Sequence, residues 1–257
     1  MRPLRRYHFS EVSSTNDVAQ ELIARCAENE YIAVTADSQT AGRGRNGRIW
    51  HSEPCQNLYC SFAIRYAKSV KKNTAELAAY QARGALAALY AIRSFLPPFL
   101  HDHLLLKYPN DVLMVDVMHT RKKVCGVLVE HEFLGVRCLS TVIGIGINVR
   151  QTLFPPELCT TATSLLLCGL DVTVEDVVQE LLRVWEEIAG MPIETIWRLW
   201  WQELHLEGVS IALYNSSEEW FAQELNSDGM LVLKNVRGER RVLMHGESLR
   251  RIDWKQR

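Results

Sequence analysis

Residues 124–129, Val-Cys-Gly-Val-Leu-Val, form an almost unbroken apolar run. A run of this kind reads as a β-strand covered on both faces. Downstream, Cys138 to Val149 reads as a second strand, in which Ile143, Ile145 and Ile147 alternate with Gly144 and Gly146. The isoleucines share one face and the glycines leave the other bare, so that a flat ligand can lie on it. Gly126, inside the apolar run, marks a point where something approaches the backbone closely. Gly135-Val136-Arg137, between the two strands, suits a hairpin.

The remaining pattern alternates strands and helices as far as about residue 206. Tyr7–Val12, Tyr31–Asp37, Asn57–Tyr66, Leu104–Tyr108 and Val112–Val117 read as strands. Ser13-Ser14-Thr15-Asn16 offers hydroxyl and amide groups to cap a helix running to about Ala27. Asn73-Thr74 opens a longer helix, with Ala78, Ala82, Ala85, Leu89, Ile92 and Leu96 on one face and Pro97-Pro98 ending it. Thr173 and Asp176 resemble a capping pair for a helix over 174–188, and a Trp-rich helix follows over about 195–206. The character changes at Gly208. Four short strands separated by Ser227-Asp228-Gly229 and Arg237-Gly238 turns suggest a small β-barrel. The division falls into residues 1–206 and 207–257.

Composition excludes some functions. A formal net charge of −1 argues against a general nucleic-acid binder, which needs a basic face. The seven cysteines make an odd count with no CxxC pair, so neither a disulfide framework nor a structural zinc site is expected, and a reducing compartment fits. The N-terminus lacks the apolar core of a signal peptide, and no apolar stretch reaches membrane-spanning length. A cytoplasmic protein is expected.

Four segments carry groups suited to chemistry. In the first, Gly42-Arg-Gly-Arg-Asn-Gly-Arg48, three arginines stand in a glycine-rich backbone. The guanidinium fork matches phosphate or carboxylate oxygens, and glycine lets the backbone close on a ligand, so the segment reads as an anion clamp. A solvated basic turn and an Arg/Gly contact to nucleic acid are the alternatives, although Arg/Gly nucleic-acid segments usually repeat and this one does not. The second is Lys107-Tyr-Pro-Asn-Asp111, where a surface turn competes with a site in which Asp111 ligates Mg²⁺ or orients a ligand. The third places Lys122 and Lys123 at the mouth of the apolar strand. The fourth is Gly144-Ile-Gly-Ile-Asn148, which lacks the third glycine and following helix of a dinucleotide fingerprint. No Walker or GxSxG motif occurs. The eight histidines read as structural or exposed.

Each segment is weak alone. In order, they read Ser14-Thr15-Asn16, Gln39-x-Ala41-Gly42-Arg43-Gly44-Arg45-x-Gly47-Arg48-x-Trp50, Lys107-x-Pro109-Asn110-Asp111, Lys123-x-x-Gly126-x-Leu128-x-Glu130 and Gly144-x-Gly146-x-Asn148. Together they resemble the biotin protein ligase family over about residues 7–150. The stretch after Gly208, ending Gly246-Glu-Ser-Leu-Arg250, resembles that family's SH3-like C-terminal domain. The resemblance implies an α+β fold, with a mixed sheet of the class II aminoacyl-tRNA synthetase type flanked by helices and a small β-barrel behind it. It implies ATP with Mg²⁺ as co-substrate, biotin as substrate, a biotinyl-adenylate intermediate, and transfer to a lysine of a biotin carboxyl carrier domain.

Carried over by motif, the resemblance assigns Ser14, Thr15, Gln39, Gly42 and Arg43 to biotin, the last two through their backbone. Arg45 and Arg48 hold phosphate and carboxylate, Trp50 packs at the adenine end, and Lys123 reaches both the biotin carboxylate and the phosphate. Gly126 and Gly144 floor the pocket, while Asp111 and Asn148 serve ATP or its metal. Tyr108 stands where the family usually has tryptophan. A long stretch from Asp111 to Lys123 blurs the choice between Lys122 and Lys123; the spacing to Gly126 favours Lys123. About a dozen residues precede Ser13, too few for the helix-turn-helix of family members that double as repressors. An enzyme without DNA-binding activity is therefore expected. A homodimer is possible by analogy, without an identifiable interface. The alternatives are a lipoate-attaching ligase of the same superfamily and a non-catalytic RNA-binding module.

Overall fold

The computed structural model describes residues 4–67, 73–115, 120–213, 218–243 and 249–253. Its main element is a seven-stranded sheet of β1 (Arg5–Val12), β2 (Tyr31–Gln39), β3 (Asn57–Arg65), β4 (Leu104–Lys107), β5 (Asp111–Val115), β6 (Arg121–Leu134) and β7 (Arg137–Asn148), in the order β1-β2-β3-β7-β6-β5-β4. β1 runs parallel to β2 and the other neighbours are antiparallel, so the sheet is mixed. The apolar run at 124–129 is part of a much longer strand, and β6 and β7 pair almost to the hairpin at Gly135.

The central strands are buried on both sides. Ile32, Val34, Ala63 and Val142 pack under Ala19 and Ile23 of helix α1 (Thr15–Ala24). Ala33, Phe62, Ile64, Ile143 and Ile145 belong to a larger core, shared with α2 (Thr74–Arg93), α3 (Val174–Ala189) and α4 (Ile193–Leu204). Adjacent residues such as Ile32 and Ala33 therefore serve different layers, as the two-residue period of a strand requires. Helix α1 covers one face and α2 to α4 the other. Gly84 lets α2 lie close on the sheet, since a Cβ there would come 2.8 Å from Ile143 and Val127 side-chain atoms. Trp185 of α3 stacks on Phe62 with ring centroids 4.2 Å apart, worth about 1 kcal/mol beyond the area buried.

Capping boxes set the starts of α2 and α3, through Asn73 with Glu76 and Thr173 with Asp176. Helix α1 differs from expectation. Ser14 is its N-cap residue but its side chain does not cap; Gln39, at the end of β2, instead accepts from the Thr15 backbone N–H at 2.8 Å. The helix ends at Ala24, three residues before the expected end.

Beyond α4 lies a five-stranded antiparallel sheet of β8 (Ser210–Leu213), β9 (Trp220–Leu225), β10 (Leu231–Asn235), β11 (Arg240–Val242) and β12 (Leu249–Asp253), in the order β11-β10-β9-β8-β12. This suits the SH3-like expectation. Gly246-Glu247-Ser248 of the family-like ending falls outside the described residues. The architecture changes between Leu204 and Ser210, yet Ile211, Trp220, Leu231 and Leu233 join the same core as α4. Trp197 of α4 lies so close to Gly229, in the β9–β10 turn, that a Cβ there would come 2.6 Å from its Cζ2. Among the described residues, no helix is long and apolar enough to cross a membrane, and all seven cysteines are free.

Candidate active site

The bare glycine face of β7 points to the α1 side of the sheet, and a site is built over it. Two clefts open there and share a wall. The first lies between the start of α1, the end of β2, and the β6 and β7 glycines. The second, the larger of the two, extends past β5 toward the 154–162 segment and Leu249 of β12. Gly44, Arg45, Trp50, Asn110 and Lys123 line both.

The inner wall of the first cleft is a chain of hydrogen bonds. Gln39 Oε1 also accepts from Thr15 Oγ1 at 3.1 Å, and its Nε2 donates to Ser52 Oγ at 3.1 Å. Ser61 Oγ lies 2.8 Å from Thr15 Oγ1 and 2.6 Å from Asn16 Oδ1, and Asn16 Nδ2 donates to Glu130 Oε2 at 2.6 Å. Ser14, Thr15, Asn16 and Ser61 are all buried. A buried polar network with most of its groups already paired has rigid geometry, which suits recognition of a polar ligand head.

Lys123 reaches the shared wall because of a β-bulge. The β5–β6 register shifts between Val112, opposite Cys125, and Leu113, opposite Lys123, leaving Val124 as the extra residue. Val124 and Cys125 both enter the α2-side core, so Lys123 emerges on the same side as Gly126. A Cβ at Gly126 would come 2.8 Å from Lys123 Nζ. The ammonium is 2.6 Å from Asp111 Oδ1 and 5.2 Å from the centre of the Trp50 ring. The backbone is fixed from outside the sheet as well: Lys123 N–H donates to Thr161 O at 2.7 Å, and Thr163 N–H to Lys123 O at 2.9 Å. Lys122 lines neither cleft.

The Gly/Arg segment forms a small flap closed at its neck. Trp50 N–H donates to Gly42 O at 2.9 Å, Gly44 N–H to Arg48 O at 2.7 Å, and Arg43 pairs with Ile49 as an isolated bridge. Gly42 is required by close approach, since a Cβ would meet Trp50 O at 2.5 Å. At the tip, Asn46 and Gly47 take positive φ of 56° and 71°. The three arginines part company. The Arg43 guanidinium binds Asp17 at 2.6 and 2.8 Å and approaches Glu130, and these partners hold its pKa above the ordinary value. Arg45 donates to Asn110 Oδ1 at 2.9 Å in the shared wall, where burial lowers its pKa and Asp111 opposes that shift. Arg48 faces only the second cleft.

Trp50 closes the flap onto the sheet. Its ring lies over the bare backbone of Gly126 and Gly146, which are cross-strand partners; Cβ atoms there would come 2.9 Å and 2.6 Å from it. The flat group on the glycine face is thus the protein's own indole. Gly144, two residues away, instead accommodates Asn16. Among the described residues of the second cleft, Arg45, Arg48, Lys107, Arg121 and Lys123 line it with a single carboxylate, Asp111. Asn148 also lines it, with Nδ2 bound to Thr163 O at 2.9 Å.

All thirteen residues expected at the site fall on or beside these clefts; Gly42 alone lines neither and holds the flap neck. Sequence reasoning assigned no site role to Asn16, although it stood inside the Ser14-Thr15-Asn16 motif, whereas Asn110 and Gly146 were expected there only as a neutral handle and as part of the bare strand face. It also passed over His51, Gln151, Phe154 and Leu158 of the second cleft, for which no local signal exists.

The sequence pattern of the biotin/lipoate A/B protein ligase family matches residues 9–148, more than half of the chain. The chain belongs to that family. The matched stretch holds every residue described above from the first cleft and the core of the second. Among family members, the bifunctional ligase/repressor BirA of Bacillus spizizenii is 30% identical over 245 residues, spanning 90% of this chain and 70% of that protein. The biotin–[acetyl-CoA-carboxylase] ligase of Mycobacterium tuberculosis is 32% identical over 167 residues, 62% of this chain and 55% of that one. The structure of biotin protein ligase from Aquifex aeolicus, solved with biotin and ATP, superimposes with a TM-score of 0.72 at 25% identity, covering 96% of this chain and 99% of that one.

Proposed function

We propose that the chain is a biotin protein ligase: it joins biotin to ATP as biotinyl-5′-AMP and passes the biotinyl group to a lysine of a biotin carboxyl carrier domain. The observation that carries this reading is the wall of Arg45, Asn110 and Lys123 common to both clefts. Acyl adenylation needs exactly one place where a carboxylate and an α-phosphate touch, and repulsion between them must be cancelled by fixed cations. The first cleft, with its neutral hydrogen-bonding wall, takes the acid; the cationic second cleft takes the nucleotide.

In the first step a biotin carboxylate oxygen attacks the α-phosphorus and the bond to pyrophosphate breaks. Arg45 and Lys123 face the charge that develops, and Arg48 lies along the departing phosphates. Ser14, Thr15 and Gln39 hold the biotin head with the backbone at Gly42 and Arg43, and Gly126 and Gly144 floor the cleft. Trp50 packs at the nucleotide end. In the second step the uncharged carrier-lysine amine attacks the acyl carbon and AMP leaves. The mixed anhydride hydrolyses in water, so the flap's position over the shared wall matters to yield as well as to rate.

Among the described residues no three His, Cys, Asp or Glu side chains are grouped to hold a metal. One carboxylate, Asp111, faces the second cleft, and that donor set suits Mg²⁺ brought in on nucleotide phosphates, where the ion neutralises phosphate charge. The test is acid-dependent exchange of pyrophosphate into ATP with biotin and lipoate as separate substrates, followed by label transfer to a carrier domain. Exchange with biotin alone is expected. Exchange with lipoate alone overturns the assignment of substrate, and steeply salt-dependent RNA binding without exchange overturns the enzyme.

A further inference from the structure

Arg43 is the flap arginine that takes no part in the chemistry proposed above, and its side chain has a destination of its own. It forms a two-pronged pair with Asp17 on the first turn of α1, and its Nη2 stands 3.3 Å from Glu130 Oε2 on β6. The same Glu130 oxygen accepts from Asn16 Nδ2, and Asn16 is bound through Ser61 to Thr15 on the wall of the first cleft. Arg43 also lies in the neck of the flap, paired with Ile49, two residues before Arg45. One side chain therefore ties three elements together: the Gly/Arg flap, the helix that begins at the wall of the first cleft, and the strand that carries Lys123.

We propose that Asp17 and Glu130 form a clasp for Arg43, making Asp17 a positioning residue that holds the flap neck in register so that the acyl adenylate is retained. This rests on the biotin-ligase reading. Asp17 touches neither cleft, so it acts only through Arg43. Two carboxylates already neutralise Arg43, which leaves the anion-binding work to Arg45 and Lys123 and gives the first arginine of the clamp a separate duty. The paired side chains keep about 40% of their surface exposed, which weakens their attraction; bidentate geometry with a second carboxylate behind it offsets part of that loss. A neck freed from the clasp must be ordered again at each closure, and that cost falls on the closed, adenylate-bound state.

The experiment measures release of preformed biotinyl-adenylate from the full chain, with Asp17→Asn, Asp17→Glu and the exchanged pair Asp17→Arg/Arg43→Asp. Asp17→Asn is expected to speed release roughly fivefold while the kcat of pyrophosphate exchange stays within about twofold and the melting temperature is nearly unchanged. Asp17→Glu restores most of the retention, because the carboxylate survives. The exchanged pair is a further arm where it folds. Release by Asp17→Asn at the parent's rate, or equal release from the Asn and Glu variants, overturns the clasp. Failure of the parent chain to form any adenylate counts instead against the biotin reading itself.

Discussion

Gly144→Ala tests how the first cleft is built. A Cβ at position 144 would overlap Asn16 Oδ1 and lie 3.0 Å from its Cγ and 3.1 Å from its Nδ2. Unstrained contacts need roughly 3.5 Å or more, so the Asn16 side chain must withdraw by about 1 Å. Both of its hydrogen bonds, to Ser61 and to Glu130, start at 2.6 Å and pass out of bonding range. Ser61 keeps Thr15 Oγ1 as a partner at 2.8 Å, so the cost is that of the two lost bonds, one of them to the charged Glu130. The sum is about 2–4 kcal/mol of stability, together with a loss of biotin affinity of about tenfold or more. Urea unfolding and calorimetric titration with biotin measure the two effects. The decisive comparison is Gly144→Ala in an Asn16→Ala background, where room for the new methyl already exists. There its stability cost is expected to fall below about 1 kcal/mol. Equal costs in both backgrounds would refute the claim that Gly144 is glycine to make space for Asn16.

Lys123→Ala is expected to lower the first half-reaction at least 10²-fold, since it removes one of the two cations, with Arg45, that line both clefts; undiminished pyrophosphate exchange counts against that role. Arg45→Ala is expected to speed adenylate release while leaving carrier-domain affinity near the parent's, as read by stopped-flow release and by direct binding. Glu175 on α3 is held at a pKa of about 2, well below its ordinary 4.5, chiefly by the hydrogen-bonded Arg6 of the edge strand β1. Its carboxylate therefore favours the folded state above about pH 4.5, and that contribution fades as pH falls toward 2. Glu175→Gln should cost at most about 1 kcal/mol at pH 7, because the pair is largely exposed, and nothing near pH 2; a pH-independent difference between the two proteins contradicts the linkage.

Local patterns carried much of this into the sequence. The alternation of Ile143, Ile145 and Ile147 with two glycines announced which face of β7 would be open, because a strand's period leaves no other choice. Asn73 with Glu76 and Thr173 with Asp176 announced two helix starts, since capping is settled within four residues. The choice between Lys122 and Lys123 was harder. In a regular strand Lys123 and Gly126, an odd number of residues apart, would face opposite ways, and only the bulge at Val124 brings them to one side. Spacing within the motif pointed to Lys123, but the reason is a register shift against β5. Partners distant in the chain were illegible altogether: Arg43 with Asp17 and Glu130, the Trp50 ring on Gly126 and Gly146, and the 154–162 segment that bounds the second cleft. Ser14 illustrates the converse, a sound capping signal set aside because Gln39, brought in by β2, satisfies the helix instead.

The partition between the two clefts has a thermodynamic corollary. On the proposed assignment, vitamin and nucleotide would press on the same five residues from opposite sides, so that whichever arrives first would arrange Arg45, Trp50 and Lys123 for the other. Linkage then demands symmetry: the factor by which ATP tightens biotin must equal the factor by which biotin tightens ATP, whatever the order of addition.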